Sequence, residues 1–286
     1  MAEILYGAPV AKAINERTAK IVEKLAGKGM IPTLAIIRVG EREDDQAYEK
    51  AAIKRCEALG MRVMAAAMPA DVDETTFFSC LQEVNANPEI HGILLFRPLP
   101  EHLDEEKARN LISPAKDLDG GSDLALASLL TGKGEGFAPA TAQAVIEILD
   151  YYQIPIKGVR TAVLGRSLVI GKPVSLLLLN RHATVTICHS RSEDLAAMCR
   201  ENDIVVAAIG KMEMLDGKYF RAGQTVIDVG ISYNEEKQKL CGDVLFEQAE
   251  PLVERITPVP KGVGSVTTAI LANHLALAAE RTINCE

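Results

Sequence analysis

The sequence predicts an α/β protein of two domains, each a parallel β-sheet carrying helices on its faces. Three observations carry this reading. Short runs of Ile, Val and Leu alternate with amphipathic segments of helical period along the whole chain, the pattern of repeated βαβ units. The chain has 286 residues, enough for two domains of about 100–200 residues each. The stretch 130–140 (LTGKGEGFAPA) is Gly-rich and aperiodic and divides the alternation in two.

Residues 8–27 form an amphipathic helix with Val10, Ala13, Ile14, Ile21 and Leu25 at helical spacing, and Gly27-Lys28-Gly29 ends it. Residues 33–39 (TLAIIRV) are a buried strand. After Gly40 come a helix over 45–59 closed by Gly60, a strand over 61–68, a helix over 73–86 and a strand over 91–96 (HGILLF). A helix over 141–152 leads into the second domain. There the strands 161–164, 183–188, 204–209 and 225–229 alternate with helices near 171–181 and 192–201. The helical segment 266–284 is expected to return to the first domain. The domains so defined are 1–138 plus 266–286, and 139–265.

Apolar residues make up 48% of the chain and Trp is absent, so Leu, Ile, Val and Ala must fill the cores. A formal net charge of −8 argues against a nucleic-acid partner, whose recognition needs clustered Lys and Arg. The six cysteines (Cys56, Cys80, Cys188, Cys199, Cys241 and Cys285) form no C-x-x-C pair and no His spacing matches a zinc site, so we expect reduced thiols and no metal. The N-terminus lacks signal-peptide design and no run of about 18 apolar residues offers a membrane span. The expected setting is cytoplasmic, with no membrane partner.

Gly165-Arg166-Ser167 follows a buried strand, and Ile170 and Gly171-Lys172-Pro173 open the next helix. A helix N-terminus with a close-approaching glycine turn is a natural anion site. The spacing is G-x-x-x-x-x-G, not G-x-G-x-x-G, and a plain βα turn is the bland alternative. The end of the next strand reads Cys188-His189-Ser190-Arg191-Ser192. An NAD site usually carries an acid there for the ribose 2′-hydroxyl. Here Ser190 and Arg191, with Arg166 nearby, suit a 2′-phosphate, so NADP is favoured over NAD. The alternative is that Arg191 is a solvated cation.

Further motifs lie outside this half. Tyr48 and Lys54 share a helix after a Val-Gly strand end, Pro98-Leu99-Pro100 follows HGILLF, Lys116-Asp117-Leu118-Asp119-Gly120 is a loop, and Thr257-Pro258-Val259-Pro260-Lys261-Gly262-Val263-Gly264 precedes the last helix. With GRSLVIGKP and CHSRS, this set resembles the methylenetetrahydrofolate dehydrogenase/methenyltetrahydrofolate cyclohydrolase family from about residue 4 to residue 280. The resemblance implies an N-terminal substrate domain, a C-terminal NADP-binding Rossmann-like domain with a cleft between them, a tetrahydrofolate derivative as substrate and a homodimer. It implies catalytic roles at Tyr48, Lys54 and Asp119, and substrate contacts at Tyr48, Phe96, Pro98, Leu99, Asp119, Pro260, Lys261, Gly262 and Gly264. The cofactor contacts it implies are Gly165, Arg166, Ser167, Ile170, Gly171, Ser190, Arg191, Gly210, Gly230 and Ile231. Tyr48 would stack on the pterin-like ring. Asp119 would hold the aminopyrimidine end, where an amino group beside a ring N–H offers two donors to a two-oxygen acceptor. Each has a bland rival: Tyr48 as a surface aromatic, Asp119-Gly120 as a turn, Lys54 as a solvated charge, and Pro98 and Pro100 as strand terminators.

The chain also departs from the family. Where the family helix reads Tyr-x-x-x-Lys, with the lysine central to the cyclohydrolase step, this sequence has Ala52. Lys50 and Lys54 point about 160° and about 120° away from Tyr48 around a helix, so neither takes over that position. Phe96 stands for the usual Gln, Pro139-Ala140-Thr141-Ala142 for a PCTP-like segment, and Lys261-Gly262-Val263-Gly264-Ser265 for GGVGP. The expectation is an NADP-dependent dehydrogenase whose cyclohydrolase is weak or lost. The rivals are a dehydrogenase for a different heterocycle and an inactive paralogue that only binds ligand.

Overall fold

The structure, a computed structural model, describes residues 1–284. Cys285, expected as a reduced thiol, lies outside the described residues, and the other five cysteines are free. In chain order the elements are β1 (Glu3–Ile4), α1 (Gly7–Ala26), β2 (Thr33–Val39), α2 (Glu43–Ala58), β3 (Arg62–Met68), α3 (Glu74–Ala86), β4 (Gly92–Leu95), α4 (Glu105–Leu111), α5 (Asp123–Thr131) and α6 (Ala140–Tyr151). They continue with β5 (Arg160–Leu164), α7 (Gly171–Asn180), β6 (Thr184–Cys188), α8 (Leu195–Arg200), β7 (Ile204–Ala207), β8 (Thr225–Asp228), β9 (Ser232–Asn234), β10 (Lys239–Cys241), α9 (Phe246–Ala249), β11 (Arg255–Ile256) and α10 (Thr267–Asn284). The chain divides into two compact units, residues 13–140 with 268–286 and residues 1–12 with 141–267.

The first unit, called the catalytic unit below, holds a parallel sheet in the order β3-β2-β4. β2 is central and buried along its length apart from half-buried Arg38, which is why its seven residues read as an unbroken apolar run. One face packs on α3 and α4 through Phe77, Phe78, Leu81, Ile37, Ile93 and Leu95. The other packs α2 and α10 through Ala52, Cys56, Leu34, Ile36, Leu271 and Leu275. The α3 helix starts where Asp73 caps it, its carboxylate accepting the Thr76 N–H at 2.9 Å. β3 is an open edge, with Met64 49% exposed, so the expected cover on both faces fails along this strand.

The second unit, the nucleotide unit, holds six parallel strands in the order β1-β11-β8-β7-β5-β6. β5, β7 and β8 are buried, β5 apart from Arg160 at its start. An antiparallel pair, β9 with β10, stands beside this sheet as a separate two-stranded ladder.

Other expectations also need correction. The domain reading put residues 1–12 with the substrate domain, but they pack with 141–267. Leu5 N–H reaches Ile256 O at 2.8 Å and Gly7 N–H reaches Lys261 O at 2.8 Å, extending the β1–β11 pairing. The helix expected over 192–201 begins only at Leu195, because Ser192 is used in the preceding turn and Asp194 is the cap, accepting Ala197 N–H at 3.1 Å. No helix among the described residues is long and apolar enough to cross a membrane.

Phe77 is fully buried and meets Phe78 edge-on at 5.1 Å. Phe77→Ala should cost about 3–5 kcal/mol, read as a lower urea midpoint at unchanged slope.

Candidate functional site

In the nucleotide unit the connection that leaves β5 runs to β6 on one side, and the connection that leaves its neighbour β7 runs to β8 on the other. The crevice at the carboxyl ends of β5 and β7 is therefore the topological switch point, where open α/β sheets take ligands. A cavity of about 230 Å³ lies there, lined in part by Gly165, Arg166, His189, Ser190, Ile209 and Lys211. Two of these are cations, and among the described residues no carboxylate lines the cavity.

The turn after β5 is built on Gly165, whose φ of +124° belongs to glycine. A Cβ there would strike the Ala208 carbonyl, so the turn lies against the end of β7 with no room for a side chain. Ser167 caps the start of α7: its hydroxyl accepts the Ile170 N–H at 3.1 Å and the Gly171 N–H at 3.4 Å. The turn after β6 is tied internally. His189 N–H reaches Ser192 Oγ at 2.9 Å, and Arg191 N–H reaches His189 Nδ1 at 3.2 Å. That bond leaves Nε2 as the protonated nitrogen of the neutral ring. Ser190 lines the cavity, while Arg191 stands exposed beside it. Gly210 and Gly230 sit on the turns after β7 and β8, and Ile231 is 62% exposed. His189 and Lys211 escaped the sequence reading. Lys211 had a signal, since it directly follows a glycine at a strand's carboxyl end.

In the catalytic unit Tyr48 lies on α2 and packs edge-on against Phe96, just after β4, with ring centroids 5.9 Å apart. Arg38 on β2 pairs with Glu49 on α2 at 2.6 Å, both groups largely buried, and this anchors the helix turn that carries Tyr48. Ala52, one turn on, is 1% exposed within a cluster that includes Leu34, Leu94, Phe96, Leu118 and Phe137. Lys50 and Lys54 on the same helix are exposed. Leu99 is buried and Pro98 exposed, beyond a cis Arg97–Pro98 peptide.

Asp119 is half-buried in the loop after α4, with the Arg97 guanidinium 3.8 Å from its carboxylate. Burial pushes its carboxyl up to about 6, against the pull of Arg97. Leu118 beside it is fully buried, and its carbonyl meets His274 Nδ1 at 2.8 Å. Arg97 was not singled out in the sequence, because nothing before folding links it to Asp119. Pro260, Lys261, Gly262 and Gly264 belong to the nucleotide unit, on the turn after β11. Pro260, Lys261 and Gly264 are exposed, Gly262 is buried, and Lys261 has a φ of +81°.

Fold and site together define a two-unit α/β protein with a nicotinamide-dinucleotide site on its six-stranded sheet. The chain belongs to the tetrahydrofolate dehydrogenase/cyclohydrolase family: residues 5–119 match the family's catalytic domain and residues 139–283 its NAD(P)-binding domain. It is 50% identical over 281 residues to the bifunctional protein FolD of Carboxydothermus hydrogenoformans, covering 98% of each chain. Among solved structures it resembles the bifunctional FolD enzyme of Campylobacter jejuni (TM-score 0.95, 31% identity, covering 99% of this chain and 100% of that one). It also resembles the Trypanosoma brucei dehydrogenase-cyclohydrolase complexed with NADP and an inhibitor (TM-score 0.91, 34% identity, covering 99% and 98%).

Gly165→Ala should push the turn off the Ala208 carbonyl and weaken NADPH binding by about tenfold or more, about 1.4 kcal/mol. Titration by the fluorescence of bound NADPH reads this.

Proposed function

We propose that this protein oxidises 5,10-methylenetetrahydrofolate to the 5,10-methenyl form with NADP⁺ and hydrolyses the methenyl product weakly or not at all. The observation that carries the second half is Ala52, buried in an apolar cluster beside the Tyr48–Phe96 pair.

The cavity fits a phosphorylated dinucleotide: a glycine turn admits close approach, and Arg166 and Lys211 supply cations with no opposing acid. Arg166, Ser190 and Arg191 would take a 2′-phosphate by charge-assisted hydrogen bonds. The dinucleotide, when bound, supplies the hydride acceptor.

On the substrate side, a hydride leaves the methylene carbon, which lies between two nitrogens. Their lone pairs stabilise the cation that forms, so no proton is removed and positioning suffices. Tyr48 would stack on the pterin ring, and Asp119 would accept from the amino group and adjoining ring N–H. Hydrolysis is different, because water must add to the methenyl carbon and protons must move to and from the ring nitrogens. A positioned acid/base group is worth about 10²–10⁴-fold in such a step. Position 52 carries none, Phe96 adds apolar surface to the same cluster, and Lys50 and Lys54 are exposed.

The test is to mix pure protein with 5,10-methylenetetrahydrofolate and NADP⁺ and to follow NADPH and the methenyl product separately. Both should rise together, with methenyl persisting. NADPH rising over a low, steady methenyl level contradicts the hydrolase half. No NADPH with NADP⁺ or NAD⁺ leaves a changed substrate or an inactive protein, which tetrahydrofolate binding tells apart. Arg191→Ala should narrow the preference for NADP⁺ over NAD⁺ by about 10-fold.

Asp119 adds a pH dependence. The carboxyl must be ionised to accept two donors, and it titrates near 6. The kcat/KM for the folate should therefore fall as pH drops through about 6. Asp119→Asn should lose both this inflection and most of the activity.

A further inference from the structure

A second cavity lies within the catalytic unit, at the opposite edge of its sheet from Phe96 and Asp119. It has a volume of about 470 Å³, ordinary for a small-molecule site. Met30, ahead of β2, and His91, ahead of β4, line it, with Lys116 and the last two turns of α10. Nothing in the chemistry above uses it.

Three of its side chains are donors. His91 is 7% exposed, and its Nδ1 accepts the Thr33 N–H at 3.1 Å. That bond makes Nε2 the protonated nitrogen of the neutral ring, and no described residue accepts its hydrogen. Lys116 Nζ donates to the carbonyls of Asn85 (2.8 Å) and Asn87 (2.7 Å) at the end of α3. These take two of the three ammonium hydrogens. Burial pulls the Lys116 pKa down, and no carboxylate among the described residues pairs with it to oppose this. Arg281 lies over the Phe137 ring, 4.2 Å from its centroid, and gives one N–H to the Glu135 carbonyl. Its other N–H groups and its charge have no acid partner among the described residues.

The charges do not balance. Among the described residues Glu135 is the one carboxylate in the lining, against Lys116 and Arg281. His91 stays neutral, because burial and the Lys116 charge both lower its pKa. One positive charge is therefore left over. The rest of the wall is apolar, formed by Met30, Pro88, Ile90, Ala278 and Ile283. Half-buried cations are costly unless a counter-charge completes them. A carboxylate has two oxygens with lone pairs enough for all three donors, and a guanidinium matches it bidentately. An apolar body on that carboxylate would cover the remaining wall, which a bare inorganic anion leaves wet.

We propose that this cavity is a second ligand site, for a small monocarboxylate with an apolar body, held by Lys116, Arg281 and His91 Nε2. The site is separate from the dehydrogenase reading and stands whether or not that reading does.

The test uses naphthalene-2-carboxylate as probe, naphthalene-2-carboxamide as its neutral counterpart and inorganic phosphate as a bare anion. Each is titrated calorimetrically into the full chain. The carboxylate should bind once per chain with a Kd of about 1 mM or tighter, and the other two at least about tenfold more weakly. Excess tetrahydrofolate should not displace it. Arg281→Gln should weaken the carboxylate about tenfold or more. Thr282→Glu keeps every cation in place and sets an opposing charge at an exposed position of the lining. It should cause a loss of at least about fivefold, and it carries the test should Arg281→Gln not fold. Several results overturn the proposal: no saturable binding of the carboxylate, equal binding of the carboxamide, tighter binding of phosphate, or displacement by tetrahydrofolate. Unchanged carboxylate affinity in Thr282→Glu overturns it as well.

Discussion

Parallel pairing sends every strand of a sheet out at the same edge, and in each unit that constraint decides where chemistry can gather. In the nucleotide unit Gly165 follows β5, Ser190 and Arg191 follow β6, Gly210 follows β7 and Gly230 follows β8. Residues spread over sixty-odd positions of sequence therefore share one rim. In the catalytic unit the same rule puts the entry to α2 after β2 and Phe96, Arg97 and Pro98 after β4, in register as parallel neighbours. The strands supply rigidity, and the turns supply function.

The two rims differ in chemistry. That of the nucleotide unit is cationic and donor-rich at the β5 turn, and the β7 turn is held by a buried acid. That of the catalytic unit is apolar, with Ala52, Tyr48 and Phe96 in one cluster, relieved by the Asp119–Arg97 pair. An apolar rim of this kind can hold a substrate without moving its protons. A reaction that needs protons moved at the apolar corner is not suited to it. This contrast links the fold to the proposed loss of one of two activities.

Much of the fold was legible because long apolar runs bury completely. The strand read over 33–39 is β2 to the residue, and the helix read over 8–27 is α1 within one position. Elements held by context were not legible. β1 and β11 have two residues each and exist only through each other and β8. The β9–β10 pair is mostly exposed and carries no apolar alternation. The strand expected over 204–209 ends at Ala207: the Ala208 N–H still reaches Leu164 O of β5, but those of Ile209 and Gly210 turn to Asp243. Among the site residues, glycines at strand ends were visible as punctuation. Asp243 was not, for a lone acid thirty-odd residues from its donors leaves no local signature. Arg97 was hidden likewise, since its partner Asp119 is distant in sequence.

The account turns on whether the corner at Ala52 can move protons, and hydrolysis of isolated 5,10-methenyltetrahydrofolate measures that without the dehydrogenase step. The decay of the methenyl absorbance is followed with wild-type protein, with an Ala52→Lys/Phe96→Gln variant, and in buffer alone. The account predicts wild-type decay at the buffer rate and faster decay with the variant. Wild-type protein that hydrolyses methenyltetrahydrofolate well above the buffer rate would contradict it.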